Sequence, residues 1–254
     1  AKMTTGPLTW GLVTAPQRHA NNREIPYAQA RVIGGGSSIN AEVFTRGVPS
    51  DYDRWASQEG CDGWAFKDIQ RYFLRSEGNE TLSGAYHGTE GPLGVSSLNP
   101  QPLTQAFIRS CQEIGMPYNP DFNGAAQEGT SAYQTTIRGA RRCSAAVAYL
   151  RPAMARKNLT VVTGCLTRRI LFKGNRAIGI EYVEKGQVKT ALAASEVIVT
   201  SGAIGSPKLM MLSGIGPADH LTSHGIPVVL DAPGVGQNLN DHFGIDIVYE
   251  LKDQ

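Results

Sequence analysis

The chain of 254 residues is long enough for one or two domains with buried cores. Its 24 Lys and Arg residues nearly balance its 22 Asp and Glu residues and are mostly scattered, so the sequence lacks the concentrated basic surface that binds nucleic acid. No apolar run approaches about 18 residues and no signal-peptide hydrophobic segment is present, so we expect no membrane span and favour a cytoplasmic location.

The first strong feature is a glycine run, residues 30–40, which reads ARVIGGGSSIN. Because glycine has no Cβ, a backbone built from it can pass close to a ligand. Backbone N–H groups in such a turn form a nest for phosphate oxygens, and the hydroxyls of Ser37 and Ser38 can add donors. The run matches neither the nucleoside-triphosphate loop nor GxGxxG. Taken alone, it fits an anion site and a plain surface turn equally well.

The residues that follow predict helices. One begins at Asp51. Four apolar residues at helical spacing predict a second helix with a core-facing stripe, namely Phe66, Ile69, Tyr72 and Phe73. A third covers 103–114 and is capped by Gly115, and its inward face comprises Leu103, Phe107, Ile108, Cys111 and Ile114. Ser144 is expected to cap a helix over 145–150 that Pro152 interrupts or kinks.

Between these helices the sequence is rich in turn formers. Residues 77–100 predict a loop in which His87 is a solvated surface residue. Residues 117–142 predict turns and short strands. The cysteines lie far apart with no CxxC or CxxH spacing, which argues against a disulfide or metal framework and predicts buried free thiols at Cys61, Cys111, Cys143 and Cys165.

Beyond Asn158 the chain changes character. Short β-branched runs separated by glycine turns predict a small meander or three-stranded sheet that leads into one buried strand. These runs are 159–162, 167–172, 177–183, 188–192 and 196–200.

The last run leads into a second glycine-rich turn, residues 201–207. Ser206 is a favourable N-cap and Pro207 a favourable first helical residue, so we predict a short helix over 208–212 that stops at Ser213. Ligands of α/β proteins bind at the carboxyl ends of strands, and helix N-termini favour negative charge. A further helix over 217–224 and a strand over 226–230 are predicted next.

A third loop, rich in Gly and Asn, covers 233–242 and ends in Asp241 and His242. An Asp–His pair can serve nucleophilic catalysis, but no GxSxG nucleophile elbow accompanies it. From the residues alone, His242 is better explained as a hydrogen-bonded structural residue.

The three glycine-rich motifs in this order resemble the glucose-methanol-choline (GMC) family of flavin oxidoreductases, in particular its bacterial alcohol and choline dehydrogenase branch. The motifs are 31–40 with Arg46 and Gly47, then 201–217, then 233–242. The similarity runs through essentially the whole chain. It implies an α/β (mixed α+β) fold with part of a Rossmann-like FAD-binding domain and part of an antiparallel-sheet substrate domain. It also implies oxidation of a small-molecule alcohol to the aldehyde by hydride transfer to flavin N5.

The resemblance carries specific expectations for residues. FAD is expected to bind non-covalently, with the first glycine run along the pyrophosphate, Asn40 near the flavin, Gly202 and Ala203 facing the ADP part, and the third loop at the flavin end. The implied cofactor-binding residues are Arg31, Gly34, Gly35, Gly36, Ser37, Ser38, Asn40, Ala41, Val43, Thr167, Gly202, Ala203, Asn238, Asp241 and His242. No metal ligand is implied.

The family pattern also implies a division of the chain. Residues 1–65 and 158–242 are assigned to FAD binding, 66–157 mainly to the substrate domain, and 243–254 to the start of a return to it. Family members carry a GxGxxG unit before the part matched here and a catalytic His beyond Gln254, so we assign no catalytic residue. We therefore expect the 254 residues alone to be inactive and to retain FAD weakly or not at all.

Two alternatives stay open at this point. The chain could come from a non-redox member of the same fold, such as a lyase or decarboxylase that binds FAD. It could also be a truncated, catalytically silent binding module.

Overall fold

The computed structural model describes residues 6–242, 244 and 247–250. The chain divides into two compact units, Ala1–Thr160 and Val161–Gln254. Both mix helices with small sheets, as expected. The proposed start of a return to the substrate domain at 243–254 lies largely outside the described residues.

Short elements build the first unit. Its helices are α1 (Pro49–Gln58), α2 (Phe66–Ser76), α3 (Pro102–Glu113) and α4 (Arg151–Ala153). Its strands are β1 (Leu12–Val13), β2 (Pro26–Tyr27), β3 (Glu77–Asn79), β4 (Leu93–Ser97), β5 (Gln134–Thr135), β6 (Ile137–Arg138) and β7 (Arg141–Arg142). Single helical turns occur at Arg18–Ala20, Gly35–Ser38 and Ala146–Leu150. The predicted turns and short strands over 117–142 are confirmed by β5 to β7.

The core of this unit lies around a three-stranded sheet in which β4 is central, parallel to β3 and antiparallel to β5. Val95 on β4 is fully buried. The prediction of a loop over 77–100 is therefore wrong for β3 and β4. The glycines here serve close packing, since a Cβ at Gly88 would overlap the carbonyl of Leu74 and a Cβ at Gly91 would overlap that of Glu77.

The helix α2 is confirmed, with one correction. Ile69 is buried, and Phe66 and Phe73 lie 6.1 and 5.8 Å from the ring of Tyr52 on α1. Tyr72, predicted to face the core, is exposed instead. It is paired with the guanidinium of Arg71, which lies 4.8 Å from the ring centroid.

Helix α3 is also confirmed, but its apolar face is only partly buried. Ile108 and Cys111 are buried, whereas Leu103, Phe107 and Ile114 are 60%, 68% and 81% exposed. The inward orientation predicted for these three is therefore wrong in this structure. Periodicity identifies the apolar stripe of a helix, but only neighbouring chain can cover it.

The expected helix after Ser144 is present in modified form. The Ser144 hydroxyl accepts a hydrogen bond from Val147 N at 3.4 Å, as a cap should. The following turn, Ala146–Leu150, is a π-turn that leads directly into the short helix α4, which contains Pro152. Helical conformation therefore continues through the proline and ends one residue later, at Ala153.

In the second unit the elements are β8 (Cys165–Lys173), β9 (Arg176–Glu184), β10 (Gln187–Leu192), α5 (Gly202–Leu212), β11 (Ile215–Gly216), α6 (Ala218–Ser223) and β12 (Leu230–Asp231). Antiparallel pairing in the order β10-β9-β8 confirms the predicted three-stranded sheet. Ser213 joins the sheet to α5, because its hydroxyl accepts from Ile170 N and donates to Leu209 O.

Two predicted strands, 159–162 and 196–200, are absent, and no ladder among the described residues includes them. A β-branched run becomes a strand only where another backbone lies alongside it. The strand predicted over 226–230 shrinks to β12, which pairs in parallel with β11. Helix α6 confirms the helix predicted over 217–224.

Helix α5 begins earlier than predicted. It starts at Gly202, with Ser201 as N-cap, so Ser206 and Pro207 lie inside it. The Ser206 hydroxyl accepts from Ser201 N at 3.0 Å, which stabilises the first turn from within. Pro207 has no N–H and leaves the carbonyl of Ala203 without its usual helical donor.

All cysteines are free thiols. Cys111 and Cys143 are buried as predicted, but Cys61 is exposed and Cys165 is half-buried. The prediction of buried thiols is therefore wrong for Cys61.

Candidate functional site

The glycine turn of the first unit contains two kinds of glycine. Gly34 and Gly35 have φ of +92° and +56°, a conformation that favours residues without a Cβ. A Cβ at Gly34 would overlap the Ser38 hydroxyl and press on Ala146, whereas a Cβ at Gly36 would point into open space. Gly34 is thus required by the turn itself. Gly36 leaves room at the surface for another molecule.

The two serine hydroxyls of this turn donate inward. Ser37 Oγ donates to Gly34 O at 2.5 Å and accepts from Ala145 N at 2.8 Å, and Ser38 Oγ donates to Ile33 O at 2.8 Å. Their protons are therefore engaged with loop carbonyls. The part of the turn that stays open to a ligand is the exposed backbone around Gly36.

A side chain that the sequence analysis missed holds this turn. Arg142 Nη1 donates to Ser37 O at 3.1 Å and to Asn40 Oδ1 at 2.7 Å, while Arg142 Nε lies 3.0 Å from Glu42 Oε1. Asn40 Oδ1 also accepts from Glu42 N at 3.2 Å. The three contacts of Arg142 each span a hundred residues of sequence or more, so no local pattern could have indicated them.

The segment after the turn pairs with the end of β5. Phe44 N donates to Gln134 O at 2.9 Å, Thr136 N donates to Glu42 O at 2.8 Å, and Val43 bridges Thr135. Ala41 and Val43 are exposed beside Asn40. At the other end of the run, the exposed Arg31 lies 4.9 Å from the ring centroid of Trp10.

Behind this segment lies a buried polar cluster. Arg46 forms an ion pair with Glu77 and donates to Tyr86 O at 2.7 Å. His87 Nδ1 lies 2.8 Å from Glu77 Oε1, and His87 Nε2 lies 2.9 Å from Asp121 Oδ2. The exposed fraction of His87 is only 6% and that of Glu77 is 0%. The prediction of a solvated surface His87 is therefore wrong, because β3 and the 119–124 loop enclose its ring.

Burial lowers the pKa of the Arg46 guanidinium, while the nearby carboxylates of Glu77 and Asp121 act in the opposite direction. Arginine stays charged at neutral pH even so. Among the described residues, Arg46 Nε is a buried nitrogen without a hydrogen-bond partner. Arg46 also lines a pocket of about 180 Å³ together with Phe66, Phe122, Asn123 and Gln127.

Within the second unit, the expected cofactor residues lie on three elements. Thr167 is half-buried on β8, opposite Tyr182 of β9. Gly202, with φ of +83°, and Ala203 open α5 and are exposed. The first turn of a helix carries partial positive charge and N–H groups that favour anions.

The third loop of the sequence packs on α5, since a Cβ at Gly236 would lie 3.4 Å from Met211. Asn238 adopts a left-handed conformation with φ of +57°. Asp241 Oδ1 accepts from His242 N at 2.8 Å, which is a local contact between neighbours. The side chain of His242 is exposed.

The described residues contain no group of three or more His, Cys, Asp or Glu side chains arranged to hold a metal ion. They also include no helix that is both long and apolar enough to cross a membrane.

Comparison with solved structures relates the chain to flavoenzymes. An FAD-dependent oxidoreductase from Chaetomium thermophilum superposes with a TM-score of 0.86 at 34% identity, covering 92% of this chain and 43% of that one. Pyridoxine 4-oxidase from Mesorbium loti superposes with a TM-score of 0.85 at 32% identity, covering 90% of this chain and 45% of that one. The architecture is therefore that of an FAD-binding oxidoreductase.

Sequence comparison agrees. Human mitochondrial choline dehydrogenase is 46% identical over 239 residues, which are 94% of this chain and 40% of that protein. Oxygen-dependent choline dehydrogenase of Brucella anthropi is 44% identical over 242 residues, 95% of this chain and 44% of that protein. The chain thus spans less than half the length of these curated relatives. The family model for GMC oxidoreductase matches residues 4–244, and the chain belongs to the GMC oxidoreductase family.

Proposed function

We propose that the protein containing this chain is an FAD-dependent oxidoreductase that oxidises an alcohol of the choline type to the aldehyde. The main support for this proposal is the 44–46% identity to choline dehydrogenases over 94–95% of the chain. FAD, when bound, supplies the hydride acceptor at its flavin N5. We assign binding and positioning, rather than proton transfer, to the residues of this chain.

The glycine turn fits such a cofactor. Gly34, Gly35 and Gly36 bring the backbone to the surface, with open space at the Cβ position of Gly36. A pyrophosphate could therefore approach the main chain between Gly34 and Ser38 without a side chain in its path. Asn40 and the adjoining Ala41 and Val43 extend this surface toward the flavin end, and we assign Arg31 to its other end.

In the second unit, taken by itself, we assign Gly202 and Ala203 to the ADP part of FAD. The supporting observation is that they form the exposed N-terminus of α5, where an anion is favoured. Thr167 on β8 and the three residues Asn238, Asp241 and His242 of the third loop complete the proposed set. We assign residues 1–65 and 158–242 to FAD binding and 66–157 mainly to the substrate domain.

We assign no catalytic base among these residues. His87 is the buried histidine of the first unit, but both of its ring nitrogens face carboxylates. Its ring therefore links β3 to the 119–124 loop. His242 is assigned to cofactor contact rather than to proton transfer.

The decisive experiment uses the product of the complete coding sequence that contains this chain. We expect the purified protein to carry a flavin absorbance band that is bleached anaerobically by choline. A matched reagent without a hydroxyl group, such as tetramethylammonium, should leave the band unchanged. Absence of flavin would refute the proposal, and a bound flavin that no alcohol reduces would favour the lyase or decarboxylase alternative.

Gly36→Ala tests the role of the turn. Its Cβ meets nothing within 4 Å in the protein, so the free energy of unfolding without FAD should stay within about 0.5 kcal/mol of wild type. The dissociation constant for FAD should nevertheless rise about tenfold or more, because the methyl group would occupy the space proposed for the pyrophosphate. Unchanged FAD affinity would contradict the assignment of Gly36.

A further inference from the structure

One arginine organises the glycine turn, and neither the motifs nor the family resemblance pointed to it. Arg142 contacts Ser37 O, Asn40 Oδ1 and Glu42 Oε1 with a single guanidinium. We propose that Arg142 is a positioning residue that fixes this turn and orients the Asn40 amide as an outward-facing hydrogen-bond donor for an acceptor atom of FAD. The cofactor part rests on the proposed function, whereas the restraint on the turn does not.

The orientation of Asn40 follows from its partners. Arg142 Nη1, at 2.7 Å, and Glu42 N, at 3.2 Å, can only donate, so the atom that faces both of them must be the amide oxygen. A flipped amide would place its NH₂ group against two donors. The NH₂ group is therefore turned away from Arg142.

This NH₂ group is available to a ligand. Asn40 is exposed, and within the described part of the chain its nitrogen has no protein acceptor. An outward donor selects an acceptor, such as a carbonyl oxygen or an unprotonated ring nitrogen. The flavin ring offers both kinds of atom.

Arginine is suited to this role because its planar guanidinium presents several donors in one rigid group. Nη1 serves two oxygens of the turn, while Nε holds Glu42, whose own N–H also contacts Asn40. Lysine carries one compact ammonium and cannot occupy both the Nη1 and the Nε positions. The neighbouring Arg141, on the same strand, makes none of these contacts and is exposed.

The restraint is measured by hydrogen exchange on the complete protein in its FAD-free form. Ile39 N and Asn40 N both donate to Gly36 O and report closure of the turn. In Arg142→Met we expect these amides to exchange about tenfold faster, the effect of losing a charge-assisted hydrogen bond. Arg141→Met removes the same charge from the adjacent position and should leave them unchanged, and amides of β8 should be unaffected in both variants.

Arg142→Lys separates geometry from charge. It keeps the positive charge, so a purely electrostatic role predicts wild-type exchange. The geometry predicts exchange close to that of Arg142→Met. Wild-type protection in Arg142→Met, or full rescue by Arg142→Lys, would overturn the proposed role of Arg142.

The donor function is tested with Asn40→Asp in the complete protein. This variant keeps an oxygen for Arg142 and removes the NH₂ group, so the turn should stay protected while the dissociation constant for FAD rises about tenfold or more. Wild-type FAD affinity in Asn40→Asp would overturn the donor assignment. If the wild-type protein itself binds no FAD, the proposed function and the donor assignment of Asn40 both fail. The proposal that Arg142 restrains the turn is then judged by the hydrogen-exchange result alone.

Discussion

The Nδ1 atom of His87 lies 2.8 Å from Oε1 of Glu77, and both side chains are almost completely buried. The other ring nitrogen lies 2.9 Å from Asp121 Oδ2. The imidazole therefore lies between two carboxyl groups that belong to separate parts of the chain, β3 and the 119–124 loop. Together with Arg46, which forms an ion pair with Glu77, these groups form a polar cluster next to the segment that follows the glycine turn.

Glu77→Gln should be strongly destabilising. It leaves the charge of Arg46 buried without its partner, which typically costs about 3–5 kcal/mol. Urea unfolding followed by circular dichroism would measure this loss. Glu59→Gln is the matched control, because Glu59 pairs with Arg54 at 3.8 Å on the surface and its loss should cost less than about 1 kcal/mol. Equal effects of the two variants would contradict a structural role for the cluster.

His87→Asn should lower the free energy of unfolding by about 1–3 kcal/mol. Asparagine cannot contact Glu77 and Asp121 together, so at least one of the two hydrogen-bond contacts of the buried ring is lost. Exchange of the amides of Asp121 and Asn123 should also accelerate, because the ring links their loop to β3. His19→Asn changes an exposed histidine in the same unit and should be neutral. A neutral His87→Asn would mean that the ring is dispensable for this link.

Gly34→Ala and Gly36→Ala should differ although the residues are two positions apart. Gly34 has φ of +92° and no space for a Cβ, so its replacement should cost more than about 1 kcal/mol. Gly36→Ala should leave the unfolding midpoint nearly unchanged. Thermal and urea unfolding of both variants without FAD would decide this. Equal destabilisation would show that the turn does not have the described conformation.

The cysteines should differ in reactivity toward a thiol-alkylating reagent under native conditions. Cys61 is exposed and should be modified first, whereas Cys111 and Cys143 are buried and should be protected until the protein unfolds. Mass spectrometry of tryptic peptides after timed alkylation would give the order. Full alkylation in denaturant serves as the control. Rapid native labelling of Cys143 would contradict its burial against β4, where its Sγ accepts from Gly94 N at 3.2 Å.

Local features of the chain were predictable from the sequence. Apolar spacing located α2 and α3, and β-branched runs between glycine turns located the β8-β9-β10 sheet. The glycine run indicated backbone that another molecule can approach closely, because glycine has no Cβ. In each case neighbours in sequence carry the information.

Features that depend on distant partners were not predictable in this way. Glu77 and His87 looked like loop residues, and only β3 and the 119–124 loop bury them. Leu103 and Phe107 belong to an apolar stripe, but the described chain covers only part of it.

The sequence by itself determined the family and the position of the glycine turn, because three short motifs in a set order need no long-range contact to be recognised. Tertiary structure decided which residues hold that turn. Arg142 is separated from Asn40 by more than a hundred residues, and only folding brings its guanidinium to the amide. The sequence does not show which distant residue a side-chain donor or acceptor will contact, so such contacts are decided only by the tertiary packing of the chain.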